Sequence, residues 1–192
     1  MGFTRAELLS YQDRTVDDLV GPGCRLLFVG INPGLWTAAT GAHFARPGNR
    51  FYPALARAGI VDRVIDASQG MSAEDAALLI RRGVGITNVV ARATATAAEL
   101  SADELREGGR RLRERVAEVR PRVVAVAGIT AYRTAFGRRG AVPGLQDETW
   151  DGAQLWVVPN PSGLNAHETV DTLAGAYREA AIAAGVVTDR RS

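Results

Sequence analysis

Residues 21–34, GPGCRLLFVGINPG, decide the fold. Within them Arg25–Gly30 is a short run dominated by apolar residues without polar alternation, bracketed by Gly-Pro-Gly before and Asn-Pro-Gly after. Such a run fits a strand buried on both faces, as in a parallel sheet, and the flanking turn formers set its limits. Working outward, Val84–Val90, Arg122–Ala127 and Leu155–Val158 read as further strands. Helical stretches lie between and after them: Phe51–Ala58, Ala73–Arg82, Ala131–Phe136 and an Ala-rich helix over Glu168–Ala184. Ser101-x-x-Glu104 is a capping-box pattern opening a charged helix that runs to about Val119. Strands alternating with helices predict an α/β fold: three α/β/α layers around a mostly parallel central sheet of about four strands. At 192 residues the length suits one domain, with a core over about 25–184, peripheral ends and a frayed tail at 189–192.

Composition narrows the chemistry. All 23 basic side chains are Arg, so the side-chain amine of a Schiff-base mechanism is absent. The one cysteine, Cys24, excludes an internal disulfide and leaves too few thiolates for a Cys-ligated cluster or structural zinc site, so no metal or cofactor is expected. No apolar run approaches the roughly 18 residues that span a bilayer, and the first residues carry charge where a signal peptide needs its apolar stretch. A soluble, cytoplasmic protein without a membrane partner is the expectation. A net charge of +2 says little about nucleic acid, because strongly basic binders carry far more. The Arg110, Arg111, Arg113 and Arg115 cluster is interleaved with Glu107, Glu114 and Glu118 and reads as a solvated, salt-bridged helix face.

Gly, Pro and Asn concentrate where the strands end. GINPG follows the first strand, Asn88 lies at the end of the second, Gly128 follows the third and PNPSGLNA follows the fourth. In open α/β sheets the loops beyond the carboxyl ends of the strands form the ligand crevice, so these segments are expected to converge on one site. Read alone, each Asn-Pro motif equally fits a tight turn, and Asn88 fits a turn cap. The fourth segment also places a large apolar residue, Leu164, at a loop tip. Apolar wedges between base steps are one use for such a residue.

Three stretches carry a more specific signal: GINPGLWTAATGAHFARPGNRF at 30–51, GVGITNVVARAT at 83–94 and VPNPSGL at 158–164. In this order they resemble the signature regions of the mismatch-specific uracil and thymine DNA glycosylase family, within the uracil-DNA glycosylase superfamily, over Leu26–Ala181. The resemblance implies a bacterial, nucleoid-associated monomer. Its partner is double-stranded DNA with a mismatched or damaged base, which is flipped into a pocket and cut from its sugar by hydrolysis.

It also implies residue roles. Asn32 matches the Asn that holds the attacking water, where the archetypal uracil enzymes have Asp; a carboxamide positions the nucleophile but cannot attract its proton, so slow turnover is implied. Phe44 matches the aromatic that stacks on the flipped base, its alternative being a core Phe. Asn88 matches the carboxamide that can accept from uracil N3–H and donate to O4. Ile31 and Thr94 belong to the same base pocket. Gly34 does too, where the archetypal enzymes have a Tyr that excludes thymine. Asn160 stands where those enzymes polarise the base with a His. Ser162, Gly163, Leu164 and Asn165 form the wedge loop, with Ser162 and the amides near Gly163 suited to a phosphate. His43 matches the thymine enzymes without a definite role.

Two departures stand out. Asn165 and Ala166 replace the Ser and Arg usual in bacterial relatives, and Trp36 replaces a small residue. These changes keep a second reading open, a weakly active or inactive DNA-damage binding protein of the same fold. A flavodoxin-like nucleotide-binding module lacks support, since neither a G-x-G-x-x-G after the first strand nor a Walker A sequence is present.

Overall fold

The computed structural model describes residues 2–189. The chain runs α1 (Arg5–Leu9), β1 (Leu26–Gly30), α2 (Leu35–Thr40), α3 (Phe51–Arg57), α4 (Ala73–Arg81), β2 (Val84–Asn88) and α5 (Ala102–Val119). It continues through β3 (Val123–Ala127), α6 (Ile129–Phe136), β4 (Gly144–Trp150), β5 (Ala153–Val158) and α7 (Val170–Ala183). The sheet order is β2-β1-β3-β5-β4, parallel throughout except for the antiparallel pairing of β4 with β5.

Alternation along the central strands explains why they read as unbroken apolar runs. Leu26 and Phe28 join Val123 and Ala125 in a core that includes residues of α3, α4 and α7. Leu27 and Val29 join Val124 and Val126 in a second core with residues of α5 and α6. Both faces are covered, which fixes the α/β/α layering. Cys24 belongs to the second core, where burial pushes its thiol up to about 11.

The sheet has five strands where about four are expected. The additional one, β4, alternates half-buried and exposed residues through GLQDETW at the edge of the sheet, so it offers no apolar run. The helices α1 and α2, of five and six residues, are too short to show a periodic pattern. Strand β2 stops at Asn88 rather than Val90, β5 starts at Ala153 rather than Leu155, and α7 starts at Val170 behind its cap Thr169 rather than at Glu168. The expected Ser101 capping box is present, with Glu104 N donating to Ser101 Oγ at 3.1 Å and Ser101 N to Glu104 Oε2 at 2.9 Å. The tail expected over 189–192 falls almost wholly outside the described residues. Among those residues no helix is long and apolar enough to cross a membrane.

Candidate active site

After β2 the chain crosses to the opposite side of β1 to form β3, so a crevice is expected beyond the carboxyl ends of β1 and β3. A cavity of about 300 Å³ lies there, walled by Gly30 at the end of β1, Ile31 after it, Ala127 of β3, Asn88 of β2, and the loops carrying Thr94 and Asn160. Asn32, Gly34, Phe44, Ser162 and Leu164 also line it, so nine of the sequence-selected residues share one cavity. Gly163 and Asn165 lie in the same loop but outside its wall. A larger cleft of about 530 Å³ between Thr15–Asp18 and α5 shares only Asn88 with it. Polar side chains on that cleft pair with one another: Arg92 with Glu104, Arg111 with Glu107, and Arg115 with Asp18. Volume therefore does not select the site; the available hydrogen-bonding groups do.

The Asn32 amide has a determined orientation. Its Nδ2 donates to Arg92 O at 3.0 Å and to Thr94 Oγ1 at 2.8 Å. Thr94 is 1% exposed and donates its own hydroxyl proton to Thr96 O at 2.7 Å, so toward Asn32 it can only accept. With a carbonyl and a committed hydroxyl as partners, the nitrogen must face them, and Oδ1 is left on the cavity wall without a protein donor among the described residues. The loop behind it is tied down in turn. Arg92 bridges Asp13 at 2.8 Å and Glu104 at 2.6 Å, which joins the Thr94 loop to the cap of α5. Hydrogen bonds from Arg92 and then the Ser101 amide hold the Glu104 carboxyl down at about 2.

Asn88 is oriented by a different partner. It lies beside Gly30 in the parallel register of β1 and β2. His43 is 5% exposed, and burial lowers its pKa, which keeps the ring neutral. His43 Nε2 meets the carbonyl of Asp17 at 2.8 Å and must carry the proton, so Nδ1 is an acceptor. Asn88 Nδ2 therefore donates to His43 Nδ1 at 3.3 Å, and Oδ1 lies over Gly30. A Cβ on Gly30 would stand 2.6 Å from that oxygen, so glycine makes the arrangement possible. Sequence reasoning left His43 without a role; the geometry makes it the group that sets the Asn88 amide.

Phe44 is half-buried and stacks on Phe51 with ring centroids 4.1 Å apart and planes 27° from parallel. Its backbone is left-handed, φ 54°, a strained conformation for a non-glycine residue of the kind that collects at functional sites. Tyr52 helps hold the turn by donating to His43 O at 2.8 Å. Gly34 caps α2, and a Cβ added there would meet nothing within 4 Å, so this side of the cavity is open. Trp36 is not on the wall. It donates to Ser68 O at 2.9 Å and meets Phe3 edge to face, tying the N-terminal segment to the 66–70 loop.

The wedge loop is braced from within and from below. Asn160 Oδ1 accepts from Ser162 N at 2.9 Å, Ser162 Oγ accepts from Leu164 N at 3.3 Å, and Asn165 Nδ2 donates to Asn160 O at 3.2 Å. The Asn165 side chain is thus committed inside the loop. Arg50, which the sequence did not single out, donates from Nη2 to Ser162 O and Asn165 O, both at 2.6 Å, and from Nη1 to Glu168 O. Gly163 packs so closely that a Cβ would lie 2.7 Å from Gly48 O. Braced on that frame, Leu164 stands 75% exposed at the cavity mouth.

Fold and site together define an α/β protein with an amide-lined cavity at its strand ends. The chain belongs to the uracil DNA glycosylase superfamily, whose family model matches residues 18–183. It is also similar in fold to a solution NMR structure from Methanosarcina acetivorans, provisionally described as a uracil DNA glycosylase. The two share 17% identity over 87% of this chain and 97% of that one, with a TM-score of 0.58. Membership places the protein among the DNA glycosylases, hydrolases of the bond between base and sugar.

Proposed function

We propose that this protein is a monofunctional, mismatch-directed glycosylase that removes uracil and related damaged pyrimidines from duplex DNA and leaves an abasic site. The observation that carries this reading is the locked Asn32 amide, whose unoccupied Oδ1 shares a cavity with the oriented Asn88 amide and the Phe44 ring. A base entering the cavity stacks on Phe44 while Asn88 Oδ1 accepts from uracil N3–H and the second Nδ2 proton reaches O4. Cytosine presents the opposite polarity at both atoms. Asn32 Oδ1 accepts a hydrogen bond from water and aims it at the anomeric carbon. As the C1′–N1 bond breaks, its electron pair leaves with the base; the water oxygen bonds to C1′ and its proton passes to solvent. The exposed Leu164 fills the space the base vacates, offsetting lost stacking, and mispaired bases leave the helix most cheaply.

The test is a panel of duplexes, each with one uracil, thymine, ethenocytosine or 5-hydroxymethyluracil opposite guanine, treated with protein and then alkali. Strand breaks at the lesion, with free base released beforehand, are the expected result. A mobility shift on uracil duplex without breaks would replace the enzyme by a damage-binding protein.

A further inference from the structure

Among the nineteen residues that wall the site cavity, Arg46 alone carries a formal charge at neutral pH, and no carboxylate is among them. A wall otherwise free of charge suits an uncharged base, but the nucleotide that delivers the base brings phosphates to the rim. Arg46 is exposed and has no ion pair or side-chain hydrogen bond among the described residues. Its nearby counterparts are committed elsewhere: Arg50 to the carbonyls of the wedge loop, and Arg92 to Asp13 and Glu104. The Arg residues of α5 are engaged too, Arg110 and Arg111 with Glu107, Arg113 with Glu148 and Trp150, and Arg115 with Asp18.

Position adds to charge. Arg46 stands two residues before Gly48, whose carbonyl packs against Gly163, and four before Arg50, which clamps the wedge loop. The cation and the exposed Leu164 therefore line one cavity mouth from loops that are braced together. A base cannot enter unless its own backbone crosses this rim. Residues 162–166 of the wedge loop, SGLNA, include no Arg or Lys, so the loop brings no cation of its own there.

We propose that Arg46 is a phosphate ligand, contacting a phosphodiester that flanks the extruded nucleotide. The assignment rests on the glycosylase reading above. A single phosphate contact contributes about 0.9 to the slope of log K against log salt. Arg46→Ala is expected to flatten that slope by about this amount and to weaken binding roughly 3- to 10-fold near 0.1 M salt. Arg46→Lys keeps the slope, because an ammonium also serves as a point charge.

The experiment titrates wild type, Arg46→Ala and Arg46→Lys against a duplex whose single 2′-fluoro-deoxyuridine resists cleavage, over a series of salt concentrations. The titrations are repeated with a neutral methylphosphonate replacing the phosphate on either side of that nucleotide, one at a time. The proposal expects Arg46→Ala to lose its effect at one of these two replacements and not the other. An Arg46→Ala slope equal to wild type, or an effect insensitive to both replacements, overturns the phosphate assignment and leaves the glycosylase reading intact. Wild-type protein that binds uracil duplex no better than undamaged duplex overturns the glycosylase reading, and the assignment with it.

Discussion

Replacing Gly30 with alanine introduces one methyl group at the point where β1, Asn88 and Phe44 meet. The new Cβ lies 2.6 Å from Asn88 Oδ1 and 3.4 Å from Phe44 Cζ, so the ring can stay while the amide must retreat by about 0.8 Å to reach ordinary contact. The Asn88 to His43 hydrogen bond, already 3.3 Å, cannot survive that shift unaltered. A displacement near 1 Å of a positioned group can cost about 100-fold in rate. Overpacking of this kind costs about 1–3 kcal/mol of stability, which lowers Tm by no more than about 12 °C in a domain of this size. Single-turnover excision of uracil opposite guanine, measured alongside thermal unfolding, separates the two effects. In an Asn88→Ala background the clash has no partner, so Gly30→Ala should reduce the rate by no more than about threefold further. Gly30→Ala activity within twofold of wild type, or a penalty that adds in full to that of Asn88→Ala, would refute this account of the base reader.

Arg50→Lys exchanges a fork that reaches three carbonyls for a point charge; we expect faster hydrogen exchange at Leu164 and Asn165 and about tenfold slower excision from duplex, with single-stranded uracil less affected. Unchanged exchange in the loop would show that Arg50 does not hold it. His43 titrates below its ordinary value because burial disfavours the charged ring, so its neutral form, and the Asn88 orientation that depends on it, is fully present above pH 6.5 and is lost as pH falls through the lowered value. Uracil excision should fall on that acid limb, and His43→Gln, which offers an acceptor that does not titrate, should shift or remove it; an identical limb in the variant assigns the titration elsewhere. Gly34→Tyr fills a direction in which a Cβ meets nothing within 4 Å, and should suppress excision of 5-hydroxymethyluracil more than that of uracil. An unchanged ratio of the two rates would mean that Gly34 does not border C5 of the base.

Much of the fold is visible in the sequence because its central strands are buried on both faces: LLFVG and VVAVA can hardly be anything else. Strand β4 was hidden for the opposite reason. An edge strand with one half-exposed face reads GLQDETW, in which four consecutive polar residues mask the alternation. Segment α2 was hidden because its six residues sit inside a motif dominated by its turn. The site divides the same way. Motif spacing brings Asn32, Asn88 and Asn160 to one cavity because each lies at or just beyond a strand end, a relation fixed by topology, and Phe44 joins them from the turn after α2. The orientation of each amide could not be read, since it depends on partners distant in the chain: Thr94 lies 62 residues from Asn32, and Asn88 lies 45 from His43. Arg50 gave no signal at all. An Arg in a loop reads as solvated unless its carbonyl partners, more than 110 residues away, are known.

In the proposed reaction the Asn32 amide, held by Arg92 O and Thr94, aims the water that cuts the glycosidic bond. Single-turnover excision and equilibrium binding of uracil duplex by Asn32→Ala test it most directly. The amide acts on the nucleophile rather than on the bound base, so excision should fall by about 100-fold or more while Kd stays within about threefold of wild type. Excision within a few-fold of wild type at full occupancy would contradict the claim.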